Sequence, residues 1–391
     1  MFKKLILRIA LLVIPLTILI VIINIKVDSG FLLNNRSRQI ARIFVSGRNA
    51  GIRYVPSDWG FLQIAIIEER LNQKDTLSKD ILVFGTSRSS EISSDIFPQN
   101  TFFNCSIPNG NVLDYIALYG LYKRYKILPE YLIIAVDPWT FHARKSIKIN
   151  KEIQAVTDIS IPLRVNSDLI NDCYTGLKFL ELYGTNLKLK KNNSSLNDIV
   201  GFFSPNYFQN NIRSIFGKKK NIIETDSANV NSYFVILSDG SYSLSQQSRI
   251  DSVLVKDESY KFVNIHKSKF FISSDTNSIY FGYFKKLLIS LKKDGVTPLV
   301  YISPVNPIVF DNLSDSASVP LEEKIDLFCK DNMILRIGSF NPHKYNLNSV
   351  SDFFVDGYHP VKSVVENIFY YHKNELMTIG LTTFPDKSHK P

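Results

Sequence analysis

The chain has few of the residues that build metal centres and disulfide frameworks. Only three cysteines occur among its 391 residues, and no two of them lie close together: Cys105, Cys173 and Cys329. The six histidines are as widely scattered, so neither residue type has the spacing of a zinc site. We therefore expect no metal and no cofactor, and we expect the cysteines to be buried as small apolar side chains.

Nucleic-acid-binding motifs and internal repeats are also absent from the sequence. Their absence argues against nucleic acid as a partner and against a repeat architecture. Lys and Arg number 46 against 36 Asp and Glu, a formal net charge of +10, and lysines are frequent around residues 188–220 and near Lys285. This balance is typical of an ordinary solvated surface, and attraction to anionic surfaces such as phospholipid headgroups or acidic polymers is the functional alternative.

The first thirty residues determine the predicted location of the chain. Residues 5–25 are almost wholly apolar, and no charge interrupts them after Arg8. The run is near the lower length limit for a membrane-spanning helix, and Lys3, Lys4 and Arg8 precede its uncharged part. We predict an uncleaved single-pass anchor in the cell membrane, with a cytoplasmic N-terminus and the bulk of the chain extracytoplasmic (periplasmic). A cleaved signal peptide is the alternative, although residues 24–28 offer no small-residue cleavage site.

Apolar runs and helical periodicities alternate along much of the remaining chain, which is 45% hydrophobic and can bury a core. Strands are predicted over residues 80–84, 100–104, 131–136, 298–302 and 333–337, and helices over 112–125, 278–293, 319–332 and from His359-Pro360 to about 377, with the proline in the first turn. This order predicts a parallel sheet with helices on both faces. Residues from about 145 to 275 are polar and show no clear alternation.

Polar or small residues follow several of the predicted strands. In parallel sheets, ligand sites lie just beyond the carboxyl ends of the strands, so these segments are expected to converge at one edge. They contain Ser87, Asn109-Gly110, Asp137, Asn306, and the pair Asp356 and His359.

Ser87 and His359 belong to the two short segments with the most chemical content. They are Gly85-Thr86-Ser87-Arg88-Ser89 and Asp356-Gly357-Tyr358-His359. A serine hydroxyl becomes a good nucleophile when an imidazole takes its proton and a carboxylate orients that imidazole, so we predict a catalytic Ser87, His359 and Asp356. The alternative is structural: Ser87 or Ser89 caps a helix, and Asp356 is a turn residue.

These two segments resemble the SGNH/GDSL hydrolase superfamily, over about residues 78–145 and 278–377. Its members carry a Gly-Asp-Ser-x-Ser block after the first strand and Asp-x-x-His before the last helix. The resemblance implies an oxyanion hole formed by the backbone amides of Ser87 and Gly110, with Asn109, or alternatively Asn111, as a side-chain donor. Two positions depart from the family pattern: Thr86 replaces the aspartate of the first block, and Asp137 stands where the third block has an asparagine.

The resemblance also implies an activity. A membrane-anchored serine esterase or O-acyltransferase is expected, acting on acyl (acetyl) esters of an envelope polysaccharide, with a multispanning membrane O-acyltransferase as a partner. Five residues are candidates for substrate contact: Arg88, Asp137, Trp139, Asn306 and Tyr358. Arg88 is alternatively an ion-paired residue, and Trp139, Phe141 and Tyr358 either stack on a sugar ring or pack in the core. The alternative functions are a catalytically degenerate binding or scaffold protein of this fold, and a structural envelope protein that holds acidic polymer through its basic middle region.

The predicted fold class is α/β, a flavodoxin-like three-layer sandwich with a parallel sheet, an N-terminal transmembrane helix and a middle insertion. The predicted divisions are a cytoplasmic tip and anchor (1–27), a stalk (28–77), the α/β domain (78–145 and 278–377), an insertion or cap (146–277) and a tail (378–391).

Overall fold

The computed structural model of the protein describes residues 2–27, 41–42, 44–45, 51–54, 59–72, 79–108, 110–141, 146–149, 152–155, 180, 208–209, 212, 222–225, 235–243, 252–273, 279–313 and 318–383. Helix α1 covers Phe2–Val27, and its Leu11, Ile14 and Leu16 side chains are more than half exposed. Among the described residues, no helix has both the length and the apolar character needed to cross a membrane. The membrane anchor stays a prediction.

Eleven strands and nine further helices follow α1 in the described part of the chain. In chain order they are β1 (Gly51–Tyr54), α2 (Trp59–Asn72), β2 (Ile81–Phe84), β3 (Phe102–Asn104), α3 (Val112–Tyr125), β4 (Tyr131–Val136), β5 (Ser146–Ile149), β6 (Glu152–Ala155), β7 (Ile222–Thr225), β8 (Val235–Leu237), β9 (Tyr242–Ser243), α4 (Ser252–Ser273), α5 (Ile279–Lys293), β10 (Thr297–Ile302), α6 (Pro307–Leu313), α7 (Ser318–Asp331), β11 (Leu335–Gly338), α8 (Val350–Phe353), α9 (Lys362–Tyr371) and α10 (Lys373–Thr378). Short turns of 3₁₀ helix cover Ser87–Ser89, Ser94–Ile96 and Pro342–Tyr345.

Five strands form a central sheet in the order β11-β10-β4-β2-β3. Every neighbouring pair is parallel, with Ile134 of β4 opposite Phe84 of β2 and Val300 of β10. Residues 131–136 are all buried, as expected for a central strand that is covered on both faces. All the carboxyl ends of these strands therefore meet at one edge of the sheet.

The two faces of the sheet bury separate apolar clusters, because successive side chains of a strand point to opposite faces. On one face Leu82, Ile134 and Val300 pack with residues of α2, α3, α5 and α7. On the other face Val83 and Leu299 pack with residues of α9 and α10. The predicted α/β fold, a parallel sheet with helices on both faces, is confirmed.

A second, antiparallel sheet has the strand order β7-β1-β8-β9. The turn after β8 lies against the edge of the central sheet, where the Asn104 amide donates to Asp239 O at 2.8 Å. Gly240 has φ +77° in this turn, and a Cβ there would lie 2.4 Å from Asn104 O, so glycine is required. The sheet joins residues of the predicted stalk to residues of the predicted insertion, whose bounds stay predictions.

The predicted strands and helices of the α/β region are confirmed, and all but one start and end within two residues of their predicted bounds. The exception is the closing helix, which was predicted to begin at His359-Pro360. Pro360 instead pairs with Phe354 in an isolated antiparallel bridge, and α9 begins at Lys362. The Val355 amide donates to His359 O at 2.8 Å, so the backbone before α9 is extended rather than helical. A non-helical residue, His372 (φ −97°, ψ 18°), then separates α9 from α10.

Candidate active site

A tight turn positions Ser87 at the carboxyl end of β2. Gly85 follows the strand, and a Cβ there would lie 1.9 Å from Ser89 Oγ and 2.9 Å from Ala135 Cβ, so no larger residue fits without rearrangement. Thr86 caps the 3₁₀ turn, since its hydroxyl accepts from the Arg88 amide at 3.2 Å. The capping alternative for Ser87 and Ser89 is therefore wrong, and the Ser87 side chain is left partly exposed at the sheet edge.

Asn104, at the end of β3, fixes the segment that follows this turn. Its buried side-chain amide donates to Ser89 O at 2.9 Å and to Ile92 O at 2.8 Å. The Ser89 hydroxyl is 2.9 Å from the Ser106 hydroxyl and 2.9 Å from Thr86 O. The nucleophile turn thus rests on a buried polar network, to which Asn104 contributes a role that the sequence did not predict.

A short loop before α9 carries the two partners of Ser87. One carboxylate oxygen of Asp356 accepts from the backbone amides of Tyr358 (2.9 Å) and His359 (2.7 Å), which closes a tight turn. Gly357 lies against the backbone of α4, where an added Cβ would be 3.0 Å from Glu258 O. Close packing and local hydrogen bonds therefore fix the orientation of the loop.

Ser87, His359 and Asp356 form one chain of hydrogen bonds. His359 Nδ1 is 2.7 Å from Asp356 Oδ2, and His359 Nε2 is 2.9 Å from Ser87 Oγ. Burial raises the pKa of Asp356, but the hydrogen bonds and charge of His359 and the two backbone amides outweigh burial and hold the pKa below its ordinary value. Asp356 is thus a carboxylate at neutral pH, so Nδ1 carries the proton and Nε2 accepts from the Ser87 hydroxyl.

Arg88, the residue after Ser87, links the serine turn to the histidine loop. Its guanidinium lies 2.7 Å from Asp137 Oδ1 and donates to Tyr358 O at 3.0 Å and to Pro304 O. The second oxygen of Asp137 accepts from the Thr86 hydroxyl. The side chains of Arg88 and Asp137 are only 1% and 2% exposed. The prediction that these two residues contact substrate is therefore corrected, because each is buried against the other as an ion pair.

Asn306 and Phe141 are also buried inside the protein. Asn306 is fully buried, its side-chain amide donates to Ser259 Oγ at 3.0 Å, and its oxygen accepts from the Ile308 amide at 2.9 Å. Asn306 therefore caps the start of α6 and joins α6 to α4 through Ser259. These contacts correct the prediction that Asn306 binds substrate. Phe141 is 2% exposed and packs edge-on against Phe284 in the core, so core packing rather than sugar stacking is its role.

The predicted oxyanion hole is corrected at one position. The Gly110 amide donates to Ile107 O at 2.8 Å, so it closes a turn and is not free for an oxyanion. Asn111 uses its side-chain oxygen to cap α3, and Asn109 lies outside the described residues. Within the described part of the chain, no group accepts a hydrogen bond from the Ser87 amide. That amide is a predicted donor that the geometry leaves available.

Three aromatic rings form a series that begins beside the histidine, and we call Trp139, Phe262 and Tyr358 the aromatic cluster. The Tyr358 ring centroid is 4.2 Å from that of His359 and 5.5 Å from that of Phe262, and Phe262 is 6.3 Å from Trp139. Tyr358 is 37% exposed, and the other two rings are partly buried. Two of the rings were predicted from the sequence, whereas Phe262 was missed.

Phe262 is carried by α4, which lies in the predicted insertion. The buried residues Val255, Ser259 and Val263 recur at intervals of four, which is the helical signal in this otherwise polar segment. This signal could have located the helix, although not its contact with Tyr358.

Neither of the two described cysteines is an alternative nucleophile. Cys105 and Cys329 are buried, and burial raises the pKa of each thiol to about 12, so both stay protonated at neutral pH. Their predicted burial is confirmed, whereas Cys173 lies outside the described residues. No described cluster of three or more His, Cys, Asp or Glu side chains is arranged to hold a metal ion.

Comparison with known proteins adds no family to this geometry. No model of a known protein family matches the chain, and no curated protein matches it either.

Proposed function

We propose that the protein is a serine esterase or O-acyltransferase that uses Ser87, His359 and Asp356. The observation that carries the proposal is the unbroken hydrogen-bonded chain from Asp356 Oδ2 through the His359 ring to Ser87 Oγ. Its order and its distances are those of a nucleophile, a general base and a carboxylate that orients the base. A partly exposed Ser87 at the carboxyl ends of parallel strands is also where a substrate can approach.

In the proposed first step, Ser87 Oγ attacks the carbonyl carbon of an ester while its proton passes to His359 Nε2. The Ser87 amide donates to the oxyanion that forms. The ester C–O bond then breaks, and the proton on Nε2 passes to the departing alcohol oxygen, which leaves an acyl-serine. Asp356 stays ionised throughout and stabilises the imidazolium by its 2.7 Å contact with Nδ1.

In the second step a water molecule or a sugar hydroxyl attacks the acyl-serine. His359 removes the proton of the attacking group and returns it to Ser87 Oγ, so the catalyst is regenerated. Attack by water gives hydrolysis, and attack by a sugar hydroxyl gives acyl transfer. The same three side chains serve both outcomes.

The strand order supports assignment to the SGNH/GDSL hydrolase superfamily. The five strands of the central sheet lie side by side in the order β3-β2-β4-β10-β11. When these strands are renumbered 1 to 5 as they occur along the chain, that order becomes 2-1-3-4-5, which is the order of flavodoxin-like doubly wound sheets. The buried Thr86–Asp137–Arg88 network occupies the two positions at which this sequence departs from the family blocks. In the proposal this network is a structural substitute behind Ser87, and not a part of the oxyanion hole.

The proposed substrate is an acyl (acetyl) ester of an envelope polysaccharide. The proposed location is the outer side of a cell membrane, with attachment through residues 2–27, in which Leu11, Ile14 and Leu16 are more than half exposed. A multispanning membrane O-acyltransferase is the proposed partner for the transfer reaction.

One observation favours the second candidate, a catalytically degenerate protein of the same fold that binds polysaccharide. The Gly110 amide is committed to Ile107 O, so the predicted hole loses one of its two backbone donors. Loss of one oxyanion donor costs roughly a hundredfold to a thousandfold in rate.

Labelling with a fluorophosphonate tests the proposal, because this probe reacts with serines that a neighbouring base activates. We expect the full-length protein in detergent to be labelled, Ser87→Ala and His359→Ala to be unlabelled, and the neighbouring Ser93→Ala to be labelled like the wild type. An unlabelled wild type, folded by circular dichroism and run beside a hydrolase that labels well, supports the degenerate binding protein.

A further inference from the structure

The aromatic cluster begins at the proposed catalytic histidine with the exposed Tyr358 and continues through two partly buried rings, which also pack against the apolar core. Tyr358 is the residue before His359, and its ring lies between the His359 ring and Phe262. Trp139 follows β4, Phe262 is on α4, and Tyr358 is in the loop before α9. Three segments that are distant in the chain therefore place their rings in one series, and its first member, Tyr358, adjoins His359.

Buried polar contacts hold these rings in place. The Arg88 guanidinium lies 5.3 Å from the centroid of the Trp139 ring, and the same group donates to Tyr358 O. Helix α4, which carries Phe262, is fixed by the Asn306–Ser259 hydrogen bond and by the contact of its backbone with Gly357. The cluster is thus preorganised, so its side chains would lose little conformational entropy when a ligand binds.

The cluster is nevertheless exposed enough to meet a ligand. Tyr358 is 37% exposed, and none of the described residues is a hydrogen-bond partner of its hydroxyl. Burial and the charge of Asp356 raise the pKa of Tyr358, so this hydroxyl is a neutral donor and acceptor. The cluster therefore offers ring faces for apolar contact with a hydroxyl beside them.

We propose that the aromatic cluster is a subsite for a pyranose ring next to the ester that Ser87 attacks, with Phe262 as its specificity-determining residue. This inference rests on the proposed function. A pyranose presents C–H groups on one face and hydroxyls around its edge, which matches aromatic faces with a phenol hydroxyl at one side. An acyl chain is apolar all round and needs an enclosed cavity, whereas these rings lie at a partly exposed surface.

Phe262 gives the sharpest test, because it contacts Tyr358 and Trp139 and is separate from the three proposed catalytic residues. Phe262→Ala removes the ring, Phe262→Leu retains apolar volume without a ring, and Tyr260→Ala is a matched control on the same helix at a side chain that is 54% exposed. The substrates are methyl gluco-, galacto- and mannopyranosides with one O-acetyl group, p-nitrophenyl acetate, which has no sugar, and p-nitrophenyl octanoate, which has a long acyl chain.

We expect Phe262→Ala and Phe262→Leu to raise KM about tenfold for at least one of the sugar acetates, a factor equivalent to losing one aromatic contact. We expect kcat for the sugar acetates and all constants for p-nitrophenyl acetate to stay unchanged, and Tyr260→Ala to behave as the wild type. A change that is largest for the octanoate would assign the cluster to the acyl chain. Unchanged KM values for every sugar acetate would remove Phe262 from substrate binding altogether.

A binding measurement separates this inference from the proposed catalysis. The chain has two tryptophans, so Trp59→Phe combined with Ser87→Ala leaves Trp139 as the single tryptophan in a protein that cannot turn over. We expect the sugar acetates to change its emission at saturable concentrations, and Phe262→Ala to weaken that binding. Binding without any esterase activity in the wild type would refute the catalysis and retain the subsite. Hydrolysis of p-nitrophenyl acetate without sugar binding would retain the catalysis and refute the subsite.

Discussion

Replacement of Arg88 by methionine tests whether a buried ion pair joins the two halves of the site. The substitution keeps much of the side-chain volume but leaves the Asp137 carboxylate, 2% exposed, without its cation at 2.7 Å. Removing one member of a buried pair costs about 3–5 kcal/mol, because the remaining charge is neither solvated nor paired. We therefore expect the free energy of unfolding to fall by about that amount, a large share of the roughly 5–15 kcal/mol typical of folded proteins.

Asp137→Asn and the double variant complete a thermodynamic cycle. The double variant Arg88→Met/Asp137→Asn has no buried charge, so we expect it to lose at least about 1 kcal/mol less than the sum of the single losses. Unfolding in urea, followed by fluorescence and by circular dichroism, gives the three differences. Lys362→Met is the control, since its partner Asp95 is 67% exposed and such pairs contribute about 0–1 kcal/mol.

Fluorophosphonate labelling of the same variants separates charge from positioning. The double variant has no buried charge but still lacks the Arg88 donor to Tyr358 O, which lies one residue before His359. We expect its labelling rate to stay below that of the wild type under conditions in which both proteins are fully folded. Additive losses of under about 1 kcal/mol for each single variant would contradict the buried pair, and wild-type labelling of the double variant would refute the positioning role.

Three further predictions concern single groups. Gly240 has φ +77°, and a new Cβ there would lie 2.4 Å from Asn104 O, so Gly240→Ala should lower the melting temperature. Gly282 on α5 has nothing within 4 Å of a new Cβ, so Gly282→Ala should raise the free energy of unfolding by about 0.5–1 kcal/mol. The opposite order of the two variants in thermal melts would contradict the packing at Gly240. The pKa of Asp356 is below its unfolded value of about 3.9, so its stabilising effect is complete above that value and is lost as pH falls through the folded pKa. The difference in unfolding free energy between wild type and Asp356→Asn should therefore shrink below about pH 4, and a difference that grows there would reverse the assigned shift. In a Cys173→Ser background, Cys105 and Cys329, whose pKa values are raised to about 12, should resist iodoacetamide at pH 8 until urea is added, so rapid alkylation of the folded protein would contradict their burial.

The sheet and the three proposed catalytic residues were readable from the sequence because their signals are local. Residues 131–136 form a continuous apolar run that ends at Asp137-Pro138, and such a run has few outcomes other than a buried strand. Ser87 lies just after one strand, and the spacing of Asp356 and His359 suits a tight turn. Parallel topology then brings these segments to one edge without further information.

The remaining features depend on contacts between distant residues. Nothing near Arg88 or Asp137 indicates that they pair with each other across 49 positions. Asp137 was therefore predicted to contact substrate, and the ion-paired alternative for Arg88 had no named partner. The Gly110 amide was predicted to be free, but hydrogen bonding of backbone amides is settled by turn geometry, here by Ile107 O. Phe262 lies in a polar segment whose weak periodicity gave no indication that α4 packs beside the histidine loop.

The central claim is that Asp356 and His359 activate Ser87, and the rate of fluorophosphonate labelling in Asp356→Asn measures that activation most directly. Asparagine keeps the shape of the side chain but removes the charge that orients His359 and stabilises its protonated form. Comparable substitutions in serine hydrolase triads reduce the rate on the order of 10⁴-fold. The account predicts a loss of at least about a thousandfold in the labelling rate constant at pH 7, with label mapped by mass spectrometry to Ser87. Equal rate constants for Asp356→Asn and wild type, or label on a serine other than Ser87, would contradict it.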